Sequence, residues 1–345
     1  MEEINIVRCP LDSVKEHLKS YANIFIIHDR NVAGLVERLG LPVKGTLAIE
    51  ATESRKTLET VLEIGRWLLK EGADRDAFIL GVGGGITTDT AGFAASVYKR
   101  GVRFGFIPTT LLAQVDAAIG GKNGVNLDSY KNIIGAIRQP EMTFICPETL
   151  ETLPPEHLLS GAAELIKTFI IDNEGGNYEK AVSLFRNIHT RGQADSSRWP
   201  SSGAALKELV CAAAGIKAGI AGRDPYEKGE RRLLNLGHTF AHSIEKNSGE
   251  SIPHGMAVSM GIIMAGRLAE ALGLAENGLA ARLEADFRIC GLPVESPFDI
   301  ETLADAMKKD KKAEGTTVHF VLPLGIGKVE TRDLSVEDAV NALKA

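Results

Sequence analysis

The sequence predicts an α/β fold in which an N-terminal Rossmann-like parallel-sheet domain precedes a mainly α-helical domain. Three observations support this prediction. Short apolar strands alternate with amphipathic helices through roughly the first 150 residues, as in helix-covered parallel sheets. Three consecutive glycines join one of these strands to the next helix. After Pro140 the sequence becomes rich in Ala and Leu with helical spacing, so we place the two domains at residues 1–152 and 153–345.

The elements of the first domain follow from its apolar pattern. In chain order we predict a strand at 23–27, a strand at 46–49, a helix at 56–69, a strand at 77–82, a helix at 91–98 and a strand at 103–107. Strands that alternate with helices in this way are typical of a mostly parallel sheet with helices on its faces.

The second domain is predicted to be helical over most of its length. The spacing predicts helices at 156–171, 204–221, 239–247, 255–272 and 278–290, and one strand at 318–322. The segment 189–203 is polar and rich in Ser, so we predict an exposed loop there.

The bulk composition narrows the class of protein. The 345 residues are 44% hydrophobic and carry a net charge of −6, which argues against binding to nucleic acid or an anionic membrane. No apolar run approaches the ~18 residues of a membrane span, and the N-terminus has no secretion-signal pattern, so we expect a cytoplasmic protein. The four cysteines form no CxxC pair and are interpreted as small buried hydrophobic residues of a reducing compartment.

The glycine turn is the first candidate site. Gly83, Gly84 and Gly85 leave a predicted strand, and glycines there let a backbone approach a phosphate at a helix N-terminus. The spacing is not GxGxxG, and such a turn is as often a plain tight connection. Asp29 ends an upstream strand, a place suited to a ribose hydroxyl. We therefore infer a dinucleotide site.

A series of polar and basic residues is the second candidate site. They stand singly among Gly-rich or apolar residues in an acidic protein, which favours a compact pocket for a small anion. They are Arg100, Thr109, Thr110, Asp116, Lys122, Asn126, Lys131, Asn132, Gln139, Lys167, Lys217, Arg231, Lys311 and Lys312. The alternative is solvated surface charge, which is the better interpretation of Lys311 and Lys312 taken alone.

Three of the eight histidines lie close together in the sequence, at His238, His242 and His254. His238 and His242 are four residues apart, so on a helix they share a face and are positioned to chelate one divalent metal. A core or surface histidine pair is the alternative. Glu164 lies in an apolar predicted helix, where it is either a further metal ligand or simply the partner of Lys167. The residues alone leave both interpretations open.

Several long motifs occur in an order that resembles the 3-dehydroquinate synthase family of sugar-phosphate cyclases, from residue 23 to about 328. They are IPTTLLAQVDAAIGGKNGVN, KNIIGAIRQP, GAAELIK, RRLLNLGHTFAH, PHGMAV and DKK. The resemblance implies an NAD-binding α/β domain, a helical metal-binding domain and a homodimer.

The resemblance also assigns residues. It implies that zinc or cobalt is bound by Glu164, His238 and His254, so that His242 faces the substrate rather than the metal. The NAD-binding residues that it implies are Asp29, Glu53, Lys56, Gly83, Gly84, Gly85, Asp89, Thr109, Thr110, Asp116, Lys122 and Lys131. The implied catalytic residues are Lys122, Asn132, Lys167, Lys217, Arg231 and His242. The implied substrate-binding residues are Arg100, Asp116, Lys131, Asn132, Asn235, Lys311 and Lys312.

The reaction implied by the resemblance converts 3-deoxy-arabino-heptulosonate 7-phosphate to 3-dehydroquinate and phosphate in the shikimate pathway. It proceeds by transient oxidation with NAD, phosphate elimination, re-reduction and an intramolecular aldol step. The alternatives are a sibling cyclase with another sugar phosphate, a metal-dependent polyol dehydrogenase that releases NADH, and a non-catalytic binding protein.

Three positions depart from the family pattern. Thr88 stands where Gly is common, Met256 stands where a carboxylate is common after His-Gly, and Pro225 follows Asp224 where an acidic residue is common. None of the three is an implied metal ligand.

Overall fold

A computed structural model describes residues 4–128, 130–194, 203–249, 251–311 and 317–345. The strands are β1 (Ile6–Arg8), β2 (Ile24–Asp29), β3 (Gly45–Ile49), β4 (Phe78–Gly83), β5 (Arg103–Pro108), β6 (Lys122–Leu127), β7 (Tyr130–Ile137), β8 (Met142–Ile145), β9 (Thr317–Gly325) and β10 (Lys328–Ser335). The helices are α1 (Val14–His17), α2 (Ala33–Arg38), α3 (Leu58–Lys70), α4 (Gly85–Val97), α5 (Pro155–Ile171), α6 (Asn177–Ala194), α7 (Ala204–Arg223), α8 (His238–Asn247), α9 (His254–Ala271), α10 (Leu279–Ile289), α11 (Ile300–Lys311) and α12 (Val336–Lys344).

The chain divides into two compact units. The first comprises Met1–Leu158 and Ser201–Tyr226, and the second comprises Leu159–Pro200 and Glu227–Ala345. The sequence-based boundary after residue 152 assigns α7 to the second domain, whereas the compact units place α7 in the first. The two contiguous domains remain a prediction of the sequence.

The first unit is built on a six-stranded parallel sheet, which confirms the predicted α/β class. The strand order is β1-β8-β5-β4-β2-β3. Successive residues of β4 alternate between two hydrophobic cores: Ile79 belongs to one, Phe78 and Leu80 to the other. Both faces of the sheet are therefore covered, as the near-continuous apolar strands require. The antiparallel hairpin β6–β7 lies outside this sheet.

The second unit is mainly helical with one antiparallel hairpin, β9–β10, whose first strand contains the predicted strand at 318–322. From Ser160 onward α5 is almost completely buried on all sides. The hairpin, α5, α8 and α9 form its centre, where Phe240 of α8 packs against Phe320 of β9 with ring centroids 5.6 Å apart.

Two local predictions were wrong. Residues 189–194, predicted as loop, form the end of α6, while the remainder of that segment up to residue 202 lies outside the described residues. The helix predicted to begin at residue 91 begins at Gly85, directly after the glycine turn. Among the helices that the structure describes, none is long and apolar enough to cross a membrane.

Candidate functional site

The glycine turn lies at the carboxyl end of β4, in the middle of the parallel sheet. Gly84 caps α4, so the free N–H groups of the first helical turn follow the glycines directly. A side chain at Gly83 would place its Cβ 2.6 Å from the Thr87 hydroxyl oxygen, and one at Gly84 would lie 2.9 Å from Thr110. Both positions therefore require glycine for packing, and the partly exposed helix start is suited to a phosphate.

Asp29 ends β2, the strand beside β4, and Thr109 follows β5 on the other side. The carboxyl ends of neighbouring parallel strands meet at one sheet edge. After β2 the chain forms β3 on one side, whereas after β4 it forms β5 on the opposite side, so the strand order changes direction between β2 and β4. Such a point is where open α/β sheets bind ligands. Thr109 donates its backbone N–H to the carbonyl of Gly83 at 2.9 Å, and the Asp29 carboxylate accepts from the backbone N–H of Asn31. The fold thus brings these predicted NAD residues to the same edge.

Lys56 contacts two other predicted site residues of the first unit. It is only 5% exposed, and its ammonium donates to Asp89 at 2.6 Å and to the side-chain oxygen of Asn132 at 2.5 Å. Burial raises the pKa of Asp89, and Lys56 opposes that rise. Glu53 accepts a hydrogen bond from Asn126 of the hairpin at 2.7 Å. These contacts hold the hairpin β6–β7 beside the start of α3.

The remaining predicted residues of the first unit lie on the hairpin and its neighbours. Lys122 begins β6 and Lys131 lies on β7, both exposed. Lys217 of α7 contacts the carboxylate of Asp116, and Lys217 is 8% exposed. Arg100 is exposed in the short 3-10 helix Tyr98–Arg100 after α4.

Three elements of the second unit bring the predicted metal ligands together. Glu164 lies in the middle of the buried helix α5, while His238 and His254 are the first residues of α8 and α9. Each offers one ligand atom, and these three atoms all lie within 4.8 Å of one another. We call Glu164, His238 and His254 the ligand trio.

Two close helix contacts explain why the trio converges. Gly255 donates its N–H to the Ser160 hydroxyl at 3.1 Å, and a Cβ at Gly255 would lie 2.0 Å from the carbonyl oxygen of Ser160. A Cβ at Gly261 would lie 2.2 Å from the carbonyl oxygen of Gly237. Glycine is therefore needed where α9 crosses α5 and where it meets the start of α8.

The geometry of the trio fits a divalent metal. Oε1 of Glu164 lies 3.7 Å from Nε2 of His238 and 3.4 Å from Nε2 of His254. Ligand atoms around a tetrahedral ion at about 2.1 Å are about 3.4 Å apart. The Glu164 carboxylate is fully buried, and among the described residues neither of its oxygens has a well-directed hydrogen bond. Two imidazoles and a carboxylate are a common catalytic zinc set.

Lys167 forms an ion pair with Glu164, one of the two interpretations of Glu164 that the sequence left open. Its ammonium lies 2.6 Å from Oε2 of Glu164 and donates to the carbonyl of Leu234 at 2.6 Å. Burial raises the pKa of Glu164, but Lys167 and the two histidines outweigh burial and hold that pKa well below its usual range. Glu164 is therefore ionised near neutral pH and is both a partner of Lys167 and a ready metal ligand.

The two histidines differ in their protonation. Burial, helped by Lys167, holds the pKa of His238 well below its usual value, so its imidazole is neutral. Burial also lowers the pKa of His254, but the adjacent carboxylates of Glu164 and Glu245 outweigh burial and raise the pKa to about 10. A metal ion that binds His254 must therefore displace a proton from it.

His242 lies beside the trio but is not one of its members within the described chain. Its ring centroid is 5.5 Å from that of His238 and 6.5 Å from that of His254, and its side chain is exposed. The ring distances alone do not separate His242 from His254. Among the described residues, however, the ligand atoms that converge are those of Glu164, His238 and His254, as the resemblance implies, which disfavours a chelating pair of His238 and His242.

The other predicted residues of the second unit lie just before α8 or in α11. Arg231 is 3% exposed, and Asn235 donates to Glu227 at 2.5 Å. Lys311 ends α11, and Lys312 lies outside the described residues.

Sequence reasoning missed Glu245, a buried carboxylate two turns after His238 on α8 that contacts His254. Its spacing of seven residues from His238 was a usable signal.

One departure from the family pattern is accommodated locally. Thr88 is buried within α4 with ordinary helical hydrogen bonding, and its hydroxyl donates to the carbonyl of Gly85 at 3.1 Å. No glycine conformation is therefore needed at that position. Met256 lies in the first turn of α9, next to Gly255.

Comparisons with known proteins identify the family. Family models described as 3-dehydroquinate synthase N-terminal and C-terminal match residues 46–160 and 161–313. A 3-dehydroquinate synthase of Pyrococcus abyssi is 39% identical over 340 residues, which cover 96% of each chain.

Solved structures resemble the chain over almost its whole length. The 2-epi-5-epi-valiolone synthase of Streptomyces hygroscopicus, solved with NAD+ and Zn2+ bound, superposes with a TM-score of 0.85 at 28% identity, covering 100% of this chain and 96% of that one. A 2-deoxy-scyllo-inosose synthase with NAD+ and Co2+ gives 0.80 at 23% identity, covering 99% and 95%, and supports the fold alone. The two family models together span more than half of the sequence, and the chain therefore belongs to the 3-dehydroquinate synthase family.

Proposed function

We propose that this chain converts 3-deoxy-arabino-heptulosonate 7-phosphate to 3-dehydroquinate and inorganic phosphate. The observation that carries the proposal is the convergence of the ligand trio, in which Glu164 is buried and both histidines are partly buried. The chain that holds it aligns over 96% of its length with a 3-dehydroquinate synthase. The product is a carbocyclic precursor of aromatic amino acids in the shikimate pathway, and the activity is that of a phosphate-eliminating lyase.

Two groups would supply chemistry that the side chains lack. When bound, NAD provides a hydride acceptor that is regenerated in each turnover, and zinc or cobalt provides a Lewis acid that acidifies a substrate hydroxyl. The trio Glu164, His238 and His254 would hold the metal.

The residues of the first unit would hold the cofactor and part of the substrate. The start of α4 with Gly83, Gly84 and Gly85 is suited to the cofactor pyrophosphate, and Asp29 to a ribose hydroxyl. The other proposed NAD residues of this unit are Glu53, Lys56, Asp89, Thr109, Thr110, Asp116, Lys122 and Lys131. The proposed substrate and catalytic residues of this unit are Arg100, Asp116, Lys122, Lys131, Asn132 and Lys217.

The residues of the second unit would bind the substrate near the metal. His242 is exposed beside the trio and would contact the phosphate. The buried Arg231 and the partly buried Asn235 lie just before α8 and are proposed to bind the phosphate as well. Lys167 keeps Glu164 ionised through its 2.6 Å ion pair. Lys311 and Lys312 complete the proposed set. Because the leaving phosphate itself can accept the proton lost in elimination, no dedicated protein base is required.

The high structural similarity to a valiolone synthase favours one second candidate, a sibling cyclase acting on another sugar phosphate. Its sequence identity of 28% is lower than the 39% shared with the 3-dehydroquinate synthase of Pyrococcus abyssi. The density of cationic and amide side chains also suits a substrate that carries both a carboxylate and a phosphate.

A single assay tests the proposal. Purified protein supplied with NAD and zinc should release inorganic phosphate from the heptulosonate phosphate and form dehydroquinate without net accumulation of NADH. Phosphate release only from a different sugar phosphate would point to the sibling cyclase. Net NADH from glycerol or similar alcohols, without phosphate release, would point to a polyol dehydrogenase.

We also propose a cytoplasmic homodimer. The large exposed hydrophobic side chains of the hairpin β6–β7 favour an interface there, since a concentration of exposed apolar side chains is typical of contact sites. They are Leu127, Tyr130, Ile133 and Ile137, between 44% and 61% exposed. Sedimentation equilibrium should give twice the chain mass, and a monomer at micromolar concentration would contradict the dimer.

A further inference from the structure

Glu245 is a buried carboxylate that the proposed reaction does not use. It lies seven residues after His238 on α8, which places both side chains on the same helix face. Only 5% of the residue is exposed, and a carboxylate in such surroundings is costly unless it has a partner. Its placement therefore needs a reason.

One partner of Glu245 is a member of the ligand trio. Its Oε2 lies 3.4 Å from Nδ1 of His254, while Nε2 of the same ring lies 3.4 Å from Oε1 of Glu164. The imidazole of His254 thus has one nitrogen directed toward the trio and the other toward Glu245. An acceptor behind a ligand imidazole fixes both its tautomer and its orientation.

His238 has the same arrangement with a different acceptor. Its Nδ1 lies 3.2 Å from the backbone carbonyl of Leu236, and its Nε2 faces Glu164. Both histidines therefore present Nε2 to the trio and direct Nδ1 at an oxygen. The backbone carbonyl cannot be removed by substitution, whereas Glu245 can.

The structure assigns Glu245 as a positioning residue that directs Nε2 of His254 into the ligand trio and thereby sets the affinity and coordination geometry of the divalent metal. The assignment rests on the proposed function in so far as the trio binds a metal. Met256, in the first turn of α9, has no carboxylate, and the acceptor that His254 contacts lies on α8.

The test measures metal binding rather than turnover. Cobalt affinity is determined by competition with a chromophoric chelator, and the visible absorption of bound cobalt reports its coordination geometry. Glu245→Met keeps the side-chain length but removes the acceptor, so the cobalt dissociation constant should rise about 10- to 100-fold, the usual effect of losing such a partner, and the cobalt band should shift. Glu245→Gln keeps an acceptor oxygen and should restore most of the affinity.

Glu270→Met is the matched control. Glu270 lies on α9, the helix of His254, and accepts from the backbone N–H of Ala280, so it stabilises a helix end away from the trio. This variant should bind cobalt like the parent. Thermal unfolding of the metal-free variants establishes that each is folded.

Two results would overturn the assignment. One is unchanged cobalt affinity and an unchanged band in Glu245→Met, and the other is an equal loss of affinity in Glu270→Met. If the parent protein itself bound no cobalt, the proposed function would fail first, so the two failures are distinguishable.

Discussion

At the residue scale, the proposed function gives the histidine-rich segment two tasks that its spacing alone does not separate. His238 and His242 are four residues apart on α8, a spacing that predicts a chelating pair. In the structure Nε2 of His238 faces Glu164, whereas the ring of His242 lies outside the trio and is exposed. Glu164 is remote in sequence: its position in an apolar helix made it a candidate ligand, but only tertiary packing brings it to the histidines.

Substitution of each histidine should separate the two tasks. His254→Ala removes one of three ligand atoms, so bound zinc and activity should both be lost. His242→Ala should leave the zinc content of the purified protein unchanged while turnover falls on the order of 100-fold or more, because this variant lacks the imidazole proposed to contact the substrate phosphate. Zinc content is measured by elemental analysis. Equal loss of zinc in both variants would restore the chelating pair.

At the element scale, the sequence predicted most of the helices and most strands of the parallel sheet. It missed elements in which the pattern of apolar and polar residues is mixed. The start of α4 was predicted too late. The run Gly83, Gly84 and Gly85 indicates a turn, yet the helix begins at the last of these glycines. The end of α6 was predicted as loop because the segment is polar. Its buried residues Tyr178, Ala181, Val182, Phe185 and Ile188 do follow helical spacing. The hairpin β6–β7 was missed because most of its apolar residues remain exposed, namely Leu127, Tyr130, Ile133 and Ile137.

The crossing of α8 and α9 should depend on Gly261. A methyl group there would lie 2.2 Å from the carbonyl oxygen of Gly237, a backbone atom that cannot move away alone. Gly261→Ala should therefore lower the free energy of unfolding by about 1–3 kcal/mol and weaken zinc binding, because the two histidine-bearing helices shift apart. Urea denaturation and chelator competition measure the two effects.

Gly65→Ala is the control for that substitution. Gly65 lies inside α3, and nothing is within 4 Å of an added Cβ. Removing a helical glycine without a clash should raise stability by about 0.5–1 kcal/mol and leave zinc affinity unchanged. Stability changes of the same sign in both variants would contradict the packing argument.

At the scale of the whole molecule, the proposed ligands are divided between the two compact units. The predicted NAD residues all lie in the first unit, and the trio lies entirely in the second. The α/β class was predictable because strand and helix periods differ along the chain, whereas the assignment of α7 to the first unit was not. That assignment depends on the contact of Lys217 with Asp116 and similar tertiary packing, which no local pattern encodes.

This division predicts that metal and NAD bind independently. Asp29→Ala should weaken NAD binding, measured by calorimetric titration, and leave zinc affinity unchanged, because Asp29 lies at the sheet edge of the first unit. His254→Ala should abolish zinc binding and leave the NAD dissociation constant unchanged, because each set of residues belongs to a separately packed unit. A change of about tenfold or more in the NAD dissociation constant would correspond to about 1.4 kcal/mol of coupling and would contradict independent binding.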